Sequence, residues 1–469
     1  MRIAAISLIC CLSLGALRPA HASDDPWHAK ARELLAHAVA VPTVAGRGKV
    51  PELAQWFADQ YRAAGWADRD IHVLPYDGSD GDRTAALIVR WPASRAAHRK
   101  PIMLMAHLDV VEAKPEDWSM DPFALIEKDG YFYGRGTSDI KQGAVAVTTA
   151  LLKLKADGFK PDRDIVVFFT GDEEMDGHGA QHGVTTWHDL LDVEYGLNSD
   201  GGGGGFAPDG RALGFSFETA EKTYADYAFT ARNPGGHSSK PRPDNAIYDL
   251  SAALTRLAQY RFEPRFNSTT RAYFDVRQRS ESGALGDAMR AWLKNPDDGA
   301  AADAVEADPG EVGLTRTRCV ATMLAGGHAP NALPQTARAT VNCRILPGVS
   351  PDAIRNELQR IAGDRVEVTR LDHEVSSPDS PLRPDVLKAF TDSVHAMYPD
   401  SPIVPTMSAG ASDGRLFRIH GIPVYGVEGS WGLVPDDLRA HGRDERLPVK
   451  ALYDDVDHWV RMVKALAGH

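Results

Sequence analysis

Five short segments of this chain carry side chains that can hold a cation or move a proton. The first is Met105-Ala106-His107-Leu108-Asp109-Val110-Val111. His107 and Asp109 stand two apart at the end of an apolar run, so in a strand they point the same way. An imidazole that gives one nitrogen to a metal usually has the other held by a carboxylate, and the Asp109 side chain is placed to supply it. In the second, Tyr133-Gly134-Arg135-Gly136-Thr137-Ser138-Asp139-Ile140-Lys141, a glycine-rich loop that permits close backbone approach leads to Asp139, just before an apolar helix. The third is Phe169-Thr170-Gly171-Asp172-Glu173-Glu174-Met175-Asp176-Gly177. Its acids follow an apolar strand so closely that they would repel one another without a cation nearby. The fourth is Asn198-Ser199-Asp200, ahead of five glycines, Gly201 to Gly205, and the fifth is Ala440-His441-Gly442-Arg443-Asp444-Glu445-Arg446. Taken singly, each has a plain alternative: a satisfied strand-end histidine, a helix N-cap at Asp139, a solvated acidic loop, a flexible turn.

The segments around these residues say what must position them. Apolar runs at 86–89, 102–106 and 164–170 read as strands, and periodic stretches at 27–40, 51–64 and 144–155 read as helices. Apolar strands separated by helices predict an α/β sheet buried on both faces. The pattern changes near residue 216. Residues 223–232 alternate like a half-exposed strand, a helix follows at 245–260, and strands are expected at 317–325 and 336–346, which suits an α+β subdomain with an antiparallel sheet. Residues 262–312 are polar, helical and poorly patterned. After Pro347 the α/β pattern resumes, with helices at 351–362, 383–397 and 449–466 and a strand at 422–426. The organisation expected is a signal segment at 1–22, a catalytic domain in two pieces, 23–215 and 347–469, and an inserted domain at 216–346.

Composition bounds the rest. Apolar content of 43% and charged content of 25% are ordinary for a globular chain, and the formal charge of −12 speaks against nucleic-acid binding. Met1-Arg2, the apolar run 3–17 and the Ala20-His21-Ala22 site read as a secretory signal cut after Ala22, which implies a periplasmic or secreted protein with no membrane anchor after cleavage. Cys10 and Cys11 leave with that segment. Cys319 and Cys343 remain, and their spacing leaves open whether they pair. Two cysteines make no metal knuckle, so any metal must be held by His, Asp and Glu.

In this order, the five segments resemble the metal-site series of the dinuclear zinc aminoacylase–carboxypeptidase family, which includes glutamate carboxypeptidase, peptidase V, carnosinase and carboxypeptidase S. The resemblance runs from about Trp27 to the C-terminus. It takes in Trp118 with Asp121-Pro122-Phe123, Gly235-Gly236-His237-Ser238-Ser239, Asn331-Ala332-Leu333-Pro334 and Cys343-Arg344-Ile345-Leu346-Pro347-Gly348. It implies a zinc-exopeptidase-like α/β catalytic domain, its mixed sheet flanked by helices, with an inserted α+β lid or dimerisation domain. It implies two Zn2+ ions, with Co2+ or Mn2+ as possible substitutes. Asp139 would bridge them, His107 and Asp200 would complete one, and Glu174 and His441 the other. Asp109 would support His107, and Glu173 would be the general base.

The same resemblance gives His237 the scissile carbonyl oxygen, reached from the partner subunit in dimeric members. It gives Arg344 the substrate carboxylate, Asn331 a polar contact nearby, and Gly410, within Ser408-Ala409-Gly410-Ala411-Ser412-Asp413, a place beside the substrate. A salt-bridge role for Arg344 and a turn role for Asn331 are the structural alternatives. His98, His178, His182 and His328 match no role. The 262–312 stretch is longer than in minimal bacterial members and could cover part of the entrance or alter a homodimer. The reaction expected is hydrolysis of an amide or peptide bond that releases an amino acid with a free carboxylate. Short peptides are the first choice of substrate and N-acyl amino acids the alternative, with a silent zinc-binding protein as the remote one.

Overall fold

The structure, a computed structural model, describes residues 25–94, 99–308, 310–372 and 375–468. The signal segment read at 1–22 and His98 lie outside them. Eight strands form one mixed sheet, in the order β1 (Ile71–Asp77), β2 (Arg83–Trp91), β6 (Ile165–Thr170), β3 (Ile102–His107), β7 (Tyr195–Phe206), β16 (Val424–Leu433), β8 (Ala212–Glu221) and β15 (Ile403–Ser408). Strand β3 runs parallel to both β6 and β7, and β7 parallel to β16, so these strands end along the same side of the sheet. The side chains divide by parity. Ile102, Leu104, Ala106, Ile165, Val167 and Phe169 enter a core shared with α1 (Pro26–Ala40), α2 (Val50–Ala63), α3 (Lys141–Ala156), α10 (Pro384–His395) and α12 (Val449–Ala467). Met103, Met105, Val166 and Phe168 enter a second core with α4 (His178–Val184) and α11 (Gly414–Ile419). Burial on both faces is why these strands read as unbroken apolar runs. In an open sheet of this kind, the place left for a site is the crevice beyond the strand ends.

A small sheet of β4 (Ile126–Lys128), β5 (Tyr131–Tyr133) and β17 (Arg446–Pro448) ties two distant segments together. Arg446 pairs with Tyr133, which sets the chain just after His441 beside the chain that leads to Asp139.

The inserted domain is an antiparallel sheet in the order β11 (Arg318–Gly326), β13 (Thr336–Ile345), β9 (Thr223–Arg232), β14 (Val366–Arg370). Helices α5 (Ala246–Gln259) and α9 (Pro351–Ala362) pack on it, and a two-stranded ribbon, β10 (Gly236–His237) with β12 (Ala332–Leu333), projects from it. This corrects the expected boundaries of 216–346. Residues 216–221 belong to β8 of the catalytic sheet, while α9 and β14 belong to the lid. The apolar stripe of α9 (Ile354, Leu358, Ile361, Ala362) is buried against Val341, Cys343 and Val368 of the lid sheet, a partnership that periodicity along the chain does not reveal. Cys319 and Cys343 face each other across β11 and β13 and are disulfide-bonded.

The 262–312 stretch folds as three helices, α6 (Ser268–Ser280), α7 (Gly283–Lys294) and α8 (Gly299–Glu306), around Phe274, Met289, Trp292, Ala302 and Val305. Each contributes one narrow apolar stripe, too little to stand out against a polar background. Helix α6 lies along β15, and the Thr219 and Thr269 hydroxyls share a buried hydrogen bond of 2.6 Å. The insertion therefore covers the catalytic sheet's edge and leaves the lid's edge strand β11 uncovered. Among the described residues no helix is long and apolar enough to cross a membrane.

Candidate active site

His107 is the last residue of β3 and is 1% exposed. Its Nδ1 lies 3.0 Å from the carbonyl oxygen of Asp109 and donates there, which fixes the tautomer and leaves the Nε2 lone pair facing outward. That Nε2 stands 3.3 Å from Asp139 Oδ1 and 3.9 Å from Glu173 Oε2. On the other side of the same carboxylate, His441 Nε2 lies 3.0 Å from Asp139 Oδ2 and 3.0 Å from Glu174 Oε2. One oxygen of Asp139 thus faces each imidazole. His441 adopts φ 61°, a left-handed conformation uncommon outside glycine and concentrated at functional positions.

Asp109 does more than was expected of it. Its carbonyl takes the His107 ring, and its carboxylate accepts the amide N–H of Glu173 at 3.2 Å and of Glu174 at 3.0 Å. It therefore sets the turn that presents both glutamates. Asp172, the first acid of that run, is structural: it accepts the Tyr76 hydroxyl at 2.6 Å and the amides of His178 and Gly179 at the start of α4.

Donor atoms of His107, Asp139 and Glu174 lie within 4.8 Å of one another, and so do those of His107, Glu173 and Asp200. Two donors on one tetrahedral ion, each about 2.0–2.1 Å from it, stand about 3.3 Å apart, so this spacing fits ligands that share cations. The electrostatics agree. Two carboxylates at such a distance repel by about 3–4 kcal/mol at an effective dielectric near 20. Among the described residues no Lys or Arg is ion-paired with Asp139, Glu173, Glu174 or Asp200. Burial pushes Glu173 and Asp200 well above the ordinary carboxyl range and Glu174 up to about 6. Burial alone would also raise Asp139, but its two imidazole partners hold it well below the usual value. The bond to Asp139 raises His441 to about 9. A cluster that must protonate itself to relieve its own charge, built from nitrogen and oxygen donors without sulfur, fits divalent cations.

The cavity in front of these groups measures about 530 Å³ and is lined by Asp139, Glu173, Glu174, Asp200 and His441 together with Arg344 and Gly410. Arg344, on β13, donates to the Ala409 carbonyl at 3.0 Å and stacks on Tyr224 at 4.8 Å. The strip around Gly410 is anchored by Ser412, whose amide and hydroxyl donate to the buried Glu221. His237 and Asn331 are not part of this lining. They sit together at the exposed ribbon, where the Ser238 amide donates to the Asn331 carbonyl at 3.0 Å. His178, His182 and His328 do not line it either.

The residue that sequence reasoning passed over is Glu445. It is fully buried, and one of its oxygens accepts the amides of Gly136, Ser138 and Asp139 at 3.1, 2.7 and 3.0 Å, while the other takes Arg135 at 2.6 Å. It shapes the loop that delivers Asp139, and Gly136, at φ 88°, makes the necessary turn. The only hint in the sequence was an acid four residues after His441.

Fold and site together define a metal-dependent amide hydrolase with an α/β catalytic domain and an inserted lid. Residues 103–465 match the profile of the peptidase family M20/M25/M40, and the chain belongs to that family. It is 29% identical over 376 residues to the N-fatty-acyl-amino acid synthase/hydrolase PM20D1 of Xenopus tropicalis, spanning 78% of this chain and 72% of that one. It is 28% identical over 388 residues to a probable carboxypeptidase S-like 2 of Dictyostelium discoideum, spanning 78% and 71%. Its fold matches the M20 family metallo-carboxypeptidase Sso-CP2 of Sulfolobus solfataricus with a TM-score of 0.69 at 18% identity, covering 93% of this chain and 98% of that one.

Proposed function

We propose that this hydrolase cleaves an amide bond whose amine side is an amino acid with a free α-carboxylate, as a carboxypeptidase or dipeptidase on short peptides. The observation that carries the reading is Arg344 in the same cavity as the cation-binding carboxylates. Among the described residues no carboxylate pairs with it, and a planar guanidinium held by Ala409 and Tyr224 is preorganised to take a carboxylate with two parallel hydrogen bonds. N-acyl amino acids are the second reading, favoured by the relative that carries that activity in its name.

His107, Asp139 and Asp200 would hold one cation, and Asp139, Glu174 and His441 the other, with zinc the best fit to the donor set. The pair would supply positive charge that polarises the scissile carbonyl and makes a water more acidic. Glu173 takes that water's proton and passes it to the departing amine. Arg344 holds the substrate so that its amide lies against the carboxylate cluster. His237, together with Asn331, would reach the carbonyl oxygen of a partner chain's site. A homodimer through the lid is supported by the placement of His237 outside its own chain's cavity and by β11, an uncovered edge on which Val320, Met323 and Leu324 are exposed. Export to the periplasm or beyond is supported by the segment at 1–22 and by the disulfide.

The test compares substrates that end in a free carboxylate with their C-terminal amides. Wild type should prefer the acid strongly, and Arg344→Met should lose about 100-fold in kcat/KM on the acid while changing little on the amide. Equal turnover of acid and amide by wild type would refute the reading.

A further inference from the structure

A second cavity, of about 580 Å³, lies near the metal-site cavity. The two share no lining residue but abut along the chain: Asp139 and Asp200 line one, and Ser138 and Gly202 line the other. Arg344 belongs only to the first. The second is walled by backbone on one side, Gly202 to Gly205, and by Leu213, Phe215, Val404, Trp431, Leu433, Val434 and Leu438 on the others, with α6 at its rim. Each of its charged groups has a partner. Arg277 bonds Glu311 at 3.1 Å, Arg446 bonds Asp437 at 2.6 Å, and Glu428 accepts from Gln142 at 2.7 Å. Among the described residues that line it, both arginines are paired with carboxylates.

The glycines account for the shape of this space. A β-carbon at Gly203 would meet Glu428 Oε2 at 3.2 Å, and one at Gly205 would meet Val434 at 3.3 Å, so any side chain there would grow into the cavity. Gly203 also has φ 79°, which disfavours other residues. Meanwhile Leu213 and Leu438 are 41% and 74% exposed at its edge, apolar surface with nothing over it.

We propose that this glycine-walled cavity is the subsite for an apolar acyl group on the carbonyl side of the scissile amide. The inference rests on the proposed reading, in which the amino acid side is anchored at Arg344. The carbonyl side must then leave the carboxylate cluster elsewhere, and the cavity beyond Ser138 and Gly202, where apolar side chains stand beside paired charges, begins one or two residues from Asp139 and Asp200. Its volume is in the range of pockets that take drug-sized ligands. Two sources supply such a group, a fatty acyl chain and the side chain of a peptide's penultimate residue, and the arms of the experiment separate them.

The experiment measures kcat/KM of the full chain with zinc on N-acetyl, N-hexanoyl and N-lauroyl derivatives of one amino acid, and on dipeptides that join Gly, Leu or Phe to the same amino acid. The value should rise with apolar size, by up to about fourfold per methylene buried. A rise confined to the acyl series assigns the subsite to acyl chains, and one confined to the dipeptides assigns it to peptide side chains. Leu438→Asp, at an exposed position, should lower the lauroyl-to-acetyl ratio at least about tenfold, as should Gly205→Val by filling the space. Because the readout is a ratio, it is insensitive to the fraction of protein that folds. Turnover that is indifferent to chain length and side chain, or a ratio unmoved in both variants, would overturn the subsite and leave the proposed reaction intact. No turnover of any member would instead remove the reaction itself.

Discussion

Asp139 is the residue on which the site turns, because its two oxygens face two different imidazoles. The spacing of His107 and Asp109 alone left a satisfied strand-end histidine open, and it was the order of all five segments that singled the pair out; Asp109 itself lies just past the end of β3. The presentation of Glu173 and Glu174 follows from one backbone detail: Asp109 receives both of their amides and so fixes the turn that carries them. What spacing could not show was Glu445, whose partners lie 306 to 310 residues away in sequence. Long-range acceptance of backbone amides leaves no periodic trace. The base assignment gives a sharp expectation at this scale. Glu173→Gln should keep its cations, counted by metal analysis, and lose about 10²–10⁴-fold in kcat. Full activity in that variant would move the base elsewhere.

At the scale of elements, buried strands and amphipathic helices were readable, and the errors share a cause. The run Asn198 to Gly205 suggests a flexible turn by composition, yet it forms the middle of β7, because β16 and β8 on either side satisfy its backbone and need the close approach. Helix α9 was read but placed with the catalytic part, and strand β14 was not read at all, because neither carries a mark of the sheet it joins. The closing helix α12 makes a prediction about acid. His458 is fully buried, its Nε2 donates to the Val427 carbonyl at 2.9 Å, and its Nδ1 accepts from the Ser393 hydroxyl at 3.0 Å. Burial depresses its pKa to about 3. The folded state thus binds fewer protons than the unfolded one between pH 6.5 and 3. Its contribution is intact above pH 6.5 and is lost as pH falls through that window, by about 2 kcal/mol at pH 5. Urea unfolding of wild type and His458→Gln at pH 7 and pH 5 should show a smaller acid loss in the variant. Parallel losses would mean that His458 is not the group responsible.

At the scale of the whole molecule, two of the residues that the family resemblance gives to the substrate, His237 and Asn331, sit on a ribbon away from the cavity that holds the rest. The proposed homodimer would resolve the separation, with β11 as the edge it would use. The proposal predicts complementation. His237→Ala and Glu173→Gln should each be nearly inactive alone. Mixed and allowed to exchange subunits, they should recover about a quarter of wild-type activity per site, since half the dimers would be hybrids with one complete site each. Light scattering should show a dimer that Leu324→Asp weakens. No recovery in a mixture shown to contain hybrids would place His237 outside the reaction.

The account stands on two cations shared across Asp139. Its most direct test is anomalous diffraction at the zinc edge from crystals grown with zinc, paired with hydrolysis assays on chelator-treated protein. Two peaks should flank the Asp139 carboxylate, one beside His107 and Asp200 and the other beside Glu174 and His441, and the treated protein should be inactive until metal is restored. A single peak, no peak, or undiminished hydrolysis by metal-free protein would contradict the account.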